Sequence, residues 1–282
     1  VDLLAAAPTL AAVPFPAIDP VAFEIGPLVI RWYALAYIGG LVLGWWMLRR
    51  LGRTPPAVLT AEQADDFLVW ATLGVVLGGR LGYVLFYNLP YYLDHPAEIA
   101  MVWQGGMAFH GGFLGVVIAL LIFCRRKGIP PLAMGDLLAC IAPIGLFFGR
   151  IANFINGELY GRPAPDVPWA MVFPTADAQP RHPSQLYEAA LEGLVLFAVT
   201  MILFRVAAVR ARRGALIGVF MTGYGLARFV VEYFREPDPQ LGYLFGVITM
   251  GQILSLPMIL AGLAFLAWAW YRPPAWRPGA PA

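Results

Sequence analysis

The 282-residue chain is 60% hydrophobic and only 13% charged, with a mean hydropathy of +0.70. Soluble domains carry about 25% charged residues, so this composition excludes an ordinary soluble fold and indicates a membrane protein. A net charge of +2 leaves no footprint for nucleic acid, and two cysteines make neither a disulfide framework nor a metal-ligand spacing.

Residues 1–27 are apolar but lack a basic flank and contain Pro8, Pro14, Pro16 and Pro20. They are expected to form an irregular or interfacial arm, neither a signal peptide nor a span. A span needs about 20 apolar residues to cross about 30 Å of hydrocarbon. Seven windows meet this approximately: 28–48, 67–87, 107–124, 132–150, 186–204, 215–234 and 244–270. Arg49, Arg50 and Arg53 follow the first window, and Arg125, Arg126 and Lys127 the third. Arg205, Arg210, Arg212 and Arg213 follow the fifth, and Arg272 and Arg277 the seventh. Twelve of the 19 basic residues thus share one side, which the positive-inside rule makes cytoplasmic.

The expected fold class is therefore all-α, one polytopic membrane helical bundle over 28–270 with about seven transmembrane helices. Its N-terminus lies outside and its C-terminus, with a tail at 271–282, in the cytoplasm. A small outer-side region comprises the aromatic loop 88–106 and the Pro- and Gly-rich loop 151–185. The two cysteines, Cys124 and Cys140, sit in apolar context and read as small core residues.

Seven basic residues remain inside spans or on the outer side: Arg31, Arg80, Arg150, Arg162, Arg181, Arg228 and Arg235. A guanidinium at mid-membrane costs about 2.5–3.5 kcal/mol on insertion scales, so it is retained for a partner. Its planar fork suits phosphate oxygens, and it stays charged at any working pH. An anionic lipid headgroup is the reading this supports.

Helical spacing then groups the polar residues. Tyr33 and Tyr37 share a face of the first window, and Arg80, Tyr83 and Tyr87 one of the second. The third begins WQGGMAFHGGFLG, with His110 between paired glycines that permit close approach of backbone or lipid. The fourth ends in GRIANFINGELYGRP (149–163), where Asn153, Asn156, Glu158 and Gly161 follow Arg150. Gln185, Glu188 and Glu192 share a face of the fifth, and Tyr224, Arg228, Glu232 and Arg235 one of the sixth. A purely structural salt-bridge network, with Arg80 or Arg228 on Glu188, Glu192 or Glu232, is the competing reading, and a mixture of the two is expected. His182, in HPSQLYEA, reads as a turn before a helix start, and His95 as surface loop.

Six motifs together resemble one family, the bacterial prolipoprotein diacylglyceryl transferases. They are IRWYALAY (30–37), GGRLGYVLFYN (78–88), FHGGFLG (109–115), GRIANFINGELYGRP (149–163), HPSQLYEA (182–189) and GLARFVVEYFREPD (225–238). The resemblance covers roughly residues 14–270, and the 149–163 element is similar to the family signature. It implies seven spans with the N-terminus outside. It also implies transfer of the diacylglyceryl group from phosphatidylglycerol to the lipobox cysteine of a preprolipoprotein signal peptide, at the outer leaflet of the bacterial inner membrane.

On that resemblance Arg150 and Arg228 grip the phosphate, and His110 is the base for the thiol, a glutamate or a water relay being other routes. Asn153, Asn156 and Glu158 fix the outer end of the fourth span and the headgroup. Tyr33, Tyr83 and Tyr224 line the cavity, with Arg80 and Gly161 also at the substrate. Glu232 orients Arg228, and Arg235 gates the mouth or contacts the peptide. No cofactor or metal is expected, and the partners are the two substrates and membrane lipids. The alternative is a transporter or flippase for an anionic headgroup or solute, against which the sequence shows no inverted repeat.

Overall fold

The computed structural model describes residues 13–16, 18–237, 242–244 and 246–276. Most of the first half of the expected arm, Asp238 of the last motif, and Arg277 with the end of the tail lie outside the described residues. In chain order the elements begin with β1 (Val13–Pro14), β2 (Val21–Ile25), β3 (Leu28–Arg31), α1 (Trp32–Leu51) and α2 (Ala61–Tyr87). A short α3 (Leu89–Asp94) and two 3-10 turns (Pro96–Ala100, Val102–Gln104) lead to α4 (Phe109–Lys127) and α5 (Pro131–Ile155). Then come β4 (Met171–Val172), α6 (Ser184–Glu188), a π-helical stretch (Ala189–Val195), α7 (Leu196–Arg205), α8 (Ala207–Arg210), α9 (Ala215–Val231) and α10 (Met250–Tyr271).

The protein is mostly helical. Among the described residues five helices are long and apolar enough to cross a membrane: α2, α4, α5, the continuous run Ser184–Arg205, and α10. The apolar α9 is shorter, at 17 residues, and α1 is outside that set.

Four expectations need correction. The chain is not all-α: β2 and β3 pair antiparallel around a turn with Gly26 at φ +58°, and β1 pairs parallel with β4. β-Branched residues on both sides of a Gly-Pro turn favour the hairpin over an early start to the first helix, which begins at Trp32. The second half of the expected arm is therefore partly strand. The fourth helix runs on to Ile155, so Asn153 is helical. The seventh begins only at Met250, where Thr249 and Gln252 form a capping box (Gln252 N–H to Thr249 Oγ1, 3.4 Å; Thr249 N–H to Gln252 Oε1, 3.2 Å).

The described chain divides into two compact units, one comprising the residues up to Gly44 and from Ala139 on, the other Trp45–Leu138. In the second, α2 and α4 lie backbone to backbone along Gly74, Gly78, Gly82, Gly111 and Gly115. A Cβ on Gly115 would sit 2.9 Å from the Gly74 carbonyl carbon and 3.0 Å from Gly78 Cα. Small residues permit this approach where lipid supplies no hydrophobic drive between helices. Gly115→Val is expected to push α2 and α4 apart and destabilise the protein by about 2–3 kcal/mol, read from the unfolding midpoint in mixed micelles. An unshifted midpoint would show that this seam is not tightly packed.

In the first unit α9 and α10 meet similarly, with Gly218 and Gly225 against Gly262 and Ile259. The π-helical stretch packs on α5 through Gly193, where a Cβ would lie 2.7 Å from Phe147 Cβ. Both cysteines are buried.

Candidate functional site

The first unit holds a cluster of charge built from three helical segments. Glu188 ends α6 and Glu192 lies one turn on, inside the π-helical stretch; both side chains are 0% exposed. π-Helical turns occur often at functional sites. Arg150, one turn before the end of α5, places Nε 3.3 Å from Glu188 Oε2 and Nη2 3.5 Å from Glu192 Oε2. Arg228, in the last turn of α9, donates through Nη1 to Glu188 Oε1 and pairs through Nη2 with Glu232 Oε2 at 2.8 Å. Arg235 Nη1 lies 3.9 Å from Glu188 Oε1.

Glu188 is thus shared by two guanidinium groups and approached by a third. Both sequence readings meet here: the network exists, yet it does not saturate the arginines. Arg150 Nη1 and Arg228 Nε take no partner among the described residues, and the two side chains remain 18% and 14% exposed. The Arg150 Nε to Glu188 contact also lacks hydrogen-bond alignment, since Glu188 Oε2 has no hydrogen-bond partner.

The turn after α5 is pinned by its own polar residues. Asn153 Nδ2 donates to Glu158 Oε1 at 2.7 Å and Asn156 Nδ2 to the same oxygen at 3.4 Å. Thr175 donates to the Gly157 carbonyl, Ser184 Oγ to that of Leu159 (3.0 Å) and Gln185 Nε2 to that of Glu158 (2.6 Å). These bonds tie the C-terminal end of α5 to the start of α6, and so Arg150 to Glu188. Gly161 forms an antiparallel bridge with Arg235 and donates to the His182 carbonyl at 2.8 Å. A Cβ there would lie 2.6 Å from His182 Cβ, so glycine is required by close approach.

Two tyrosines border this unit's charges. Tyr33, at the start of α1, is 37% exposed with its hydroxyl 3.3 Å from that of Tyr37. Tyr224 lies one turn before Arg228, stacked on Phe220 at 5.9 Å.

In the segment between α5 and α6 Arg181 donates to Asp177 and, beyond α9, to Glu236, both pairs at 2.9 Å. That bonding holds the Asp177 carboxyl below its ordinary range. His182 Nδ1 is 3.0 Å from the Tyr187 hydroxyl, which accepts from Trp169 Nε1 at 2.6 Å. Burial, then the Arg162 charge, pushes the His182 imidazole below its usual value and keeps it neutral around pH 7.

The second unit carries the other expected residues. Arg80, 3% exposed, does not pair with a glutamate. It donates through Nε to the Ile99 carbonyl (2.8 Å), through Nη2 to Glu98 O (2.6 Å) and through Nη1 to Gly105 O (2.5 Å), with its guanidinium over Tyr92 at 5.1 Å. The expected pairing of Arg80 with Glu188, Glu192 or Glu232 is corrected to a clamp on backbone carbonyls. The irregular segment 98–106 aims several carbonyls at one point, and a five-donor fork satisfies them together. Tyr83 stacks on Tyr87 at 5.7 Å and 8°. His110, second residue of α4, is exposed, with Phe109 edge-on at 5.6 Å.

The sequence-based site residues omitted Glu188 and Glu192, which the structure puts at the centre of the cluster. The signal was present as glutamates one turn apart in an apolar span. It was not decisive because spacing alone does not show which arginine each one faces. Among the described residues no group of three or more His, Cys, Asp or Glu side chains is placed to hold a metal.

Long apolar helices with a half-buried pair of guanidinium groups among them define a helical membrane protein. Residues 20–268 match the family described as prolipoprotein diacylglyceryl transferase. The chain is 63% identical over 265 residues to the phosphatidylglycerol–prolipoprotein diacylglyceryl transferase of Azospirillum brasilense, covering 94% of this chain and 99% of that protein. The protein of the same name from Paramagnetospirillum magneticum is 62% identical over 258 residues, with 92% and 96% covered. That of Rhodospirillum rubrum is 60% identical over 271 residues, with 96% and 99% covered. The chain belongs to the prolipoprotein diacylglyceryl transferase family, and it is a transferase.

Proposed function

We propose that this chain transfers the diacylglyceryl group of phosphatidylglycerol to the lipobox cysteine thiol of a preprolipoprotein, forming a thioether and releasing glycerol phosphate. Family membership supports the reaction. One observation carries the site: Arg150 and Arg228 share the buried Glu188, yet each keeps an unbonded N–H and partial exposure.

The thiol gives up its proton and attacks the glycerol carbon. The carbon–oxygen bond breaks, and its electron pair leaves with the phosphate ester. Negative charge grows on phosphate oxygens, where preorganised forked donors act most strongly in a water-poor site. Arg150 and Arg228 are assigned that role, with Glu188 and Glu232 holding their planes. Tyr33, Tyr83 and Tyr224 offer hydroxyls toward substrate, and Arg235 guards the outer mouth. Asn153, Asn156, Glu158 and Gly161 shape the turn beside the headgroup. His110, an exposed imidazole with a nitrogen that can act as a proton acceptor, is assigned as the base.

The reading also includes seven spans within 28–270, counting α1 and α9, with the N-terminus outside and the tail from 271 in the cytoplasm. The basic flanks of the odd-numbered spans support this orientation. It sets the active site toward the outer leaflet of the bacterial inner membrane.

Purified protein with labelled phosphatidylglycerol and a lipobox peptide is expected to yield a thioether-linked peptide; a transporter would yield none. His110→Gln is expected to slow transfer by about 10²–10⁴-fold. Near-normal turnover in that variant would remove the base from His110 while leaving the reaction in place.

A further inference from the structure

We infer that Arg162 is a positioning residue for this reaction, acting through the end of α9 on the Arg228 guanidinium; the inference rests on the transferase reading above. After Val231 the chain makes one more turn, with Glu232 N–H on Arg228 O (3.1 Å) and Arg235 N–H on Val231 O (3.1 Å). The last carbonyls of a helix have no partner within it and form the negative end of its dipole. Here the partner comes from far away in sequence. Arg162 donates through Nη2 to the Glu232 carbonyl at 2.9 Å and through Nε to the Arg235 carbonyl at 2.8 Å. Its own backbone N–H reaches the Phe234 carbonyl at 2.9 Å, and its guanidinium lies over the Tyr243 ring at 5.2 Å.

The consequence passes through Glu232. Its carbonyl is held by Arg162, while its carboxylate pairs with Arg228 Nη2 at 2.8 Å. The backbone of residue 232 thus fixes where the carboxylate stands, and the carboxylate, an ion pair without hydrogen-bond alignment, sets the charge that the Arg228 fork faces. The segment bearing Arg162 is anchored on its other side as well, since the Arg162 carbonyl accepts from His182 N–H at 3.0 Å. His182 lies two residues before α6, whose last residue is Glu188, the other carboxylate on Arg228. One short segment therefore ties together the elements that carry both of the carboxylates on Arg228. Among the described residues no hydrogen bond or ion pair joins that segment to Arg228 itself.

The test is a double-mutant cycle in the thioether assay, with Arg162→Ala, Arg228→Lys and the pair. A fork displaced by about 1 Å costs on the order of 10²-fold in rate, so Arg162→Ala is expected to lower kcat by about that factor. KM for phosphatidylglycerol should change by only a fewfold. Arg162→Lys, able to hold one carbonyl, recovers part of the loss. Because Arg162 acts through Arg228, the pair loses clearly less than the product of the single losses. Amide exchange at 232–235 should speed up in Arg162→Ala while α2 and α4 keep their protection. Multiplicative losses, or unchanged exchange at 232–235, overturn the inference. If the wild-type protein makes no thioether, the transferase reading fails, and the exchange measurement still decides whether Arg162 holds the end of α9.

Discussion

Glu188→Ala is expected to destabilise the folded protein by about 3–5 kcal/mol, the largest stability effect of any single change in this cluster. The carboxylate is fully buried and faces Arg150 on one oxygen and Arg228 on the other, with Arg235 near the second. Removing it leaves guanidinium groups in a low-dielectric interior, each having lost its shared counter-charge. Neither can retreat to water, because Arg150 and Arg228 sit near helix ends that their neighbours hold in place. Glu188→Gln keeps the shape but sets an amide donor against donors, so it should also be destabilised, though less. Glu236→Gln is the control: its partner Arg181 has a second carboxylate, and the Glu236 side chain is 43% exposed. That variant should lose at most about 1 kcal/mol, as exposed pairs do. Denaturant titration in mixed micelles measures all three. If Glu188→Ala falls within about 1 kcal/mol of wild type, the arginines have another source of neutralisation and the central role of Glu188 is wrong.

The five long apolar helices were legible because hydrophobic run length is a property of composition. Arg150, Arg228 and Glu232 stood out for the same reason: charge inside an apolar run demands an explanation. Sequence spacing also put Tyr224, Arg228 and Glu232 on one face of α9, where the structure has them. What spacing could not supply was pairing between elements. Arg80 and Arg228 look alike as arginines in the sequence, yet one is taken up by backbone carbonyls and the other is only partly engaged, by carboxylates. The difference lies in the irregular segment 98–106, whose free carbonyls exist only once the chain has folded. The hairpin at 21–31 was hidden by its hydrophobicity, since β-branched apolar residues serve a strand or a span start equally well. The role of Arg162 was hidden because carbonyl acceptors carry no signature in the sequence.

Replacing Arg150 or Arg228 by lysine is expected to reduce transfer by about 10²–10³-fold while the protein still folds. Lysine keeps the charge, so a site needing only positive potential would tolerate it within about fivefold. The observed geometry asks for more than potential. Arg150 addresses Glu188 through Nε and Glu192 through Nη2, which leaves Nη1 for a ligand. Arg228 divides its fork the same way, with Nη1 on Glu188, Nη2 on Glu232 and Nε left over. A single ammonium cannot hold two carboxylates on one side and present a fixed donor on the other; it collapses onto the nearest carboxylate. The loss should therefore appear mainly in kcat, because the donor that strengthens as charge develops is the one removed. The double lysine variant should fall less than the product of the two single losses, since both guanidinium groups act on one phosphate through one shared glutamate. Fully multiplicative losses would mean that the two arginines serve separate steps, and turnover near wild type in either single variant would take the phosphate away from that residue.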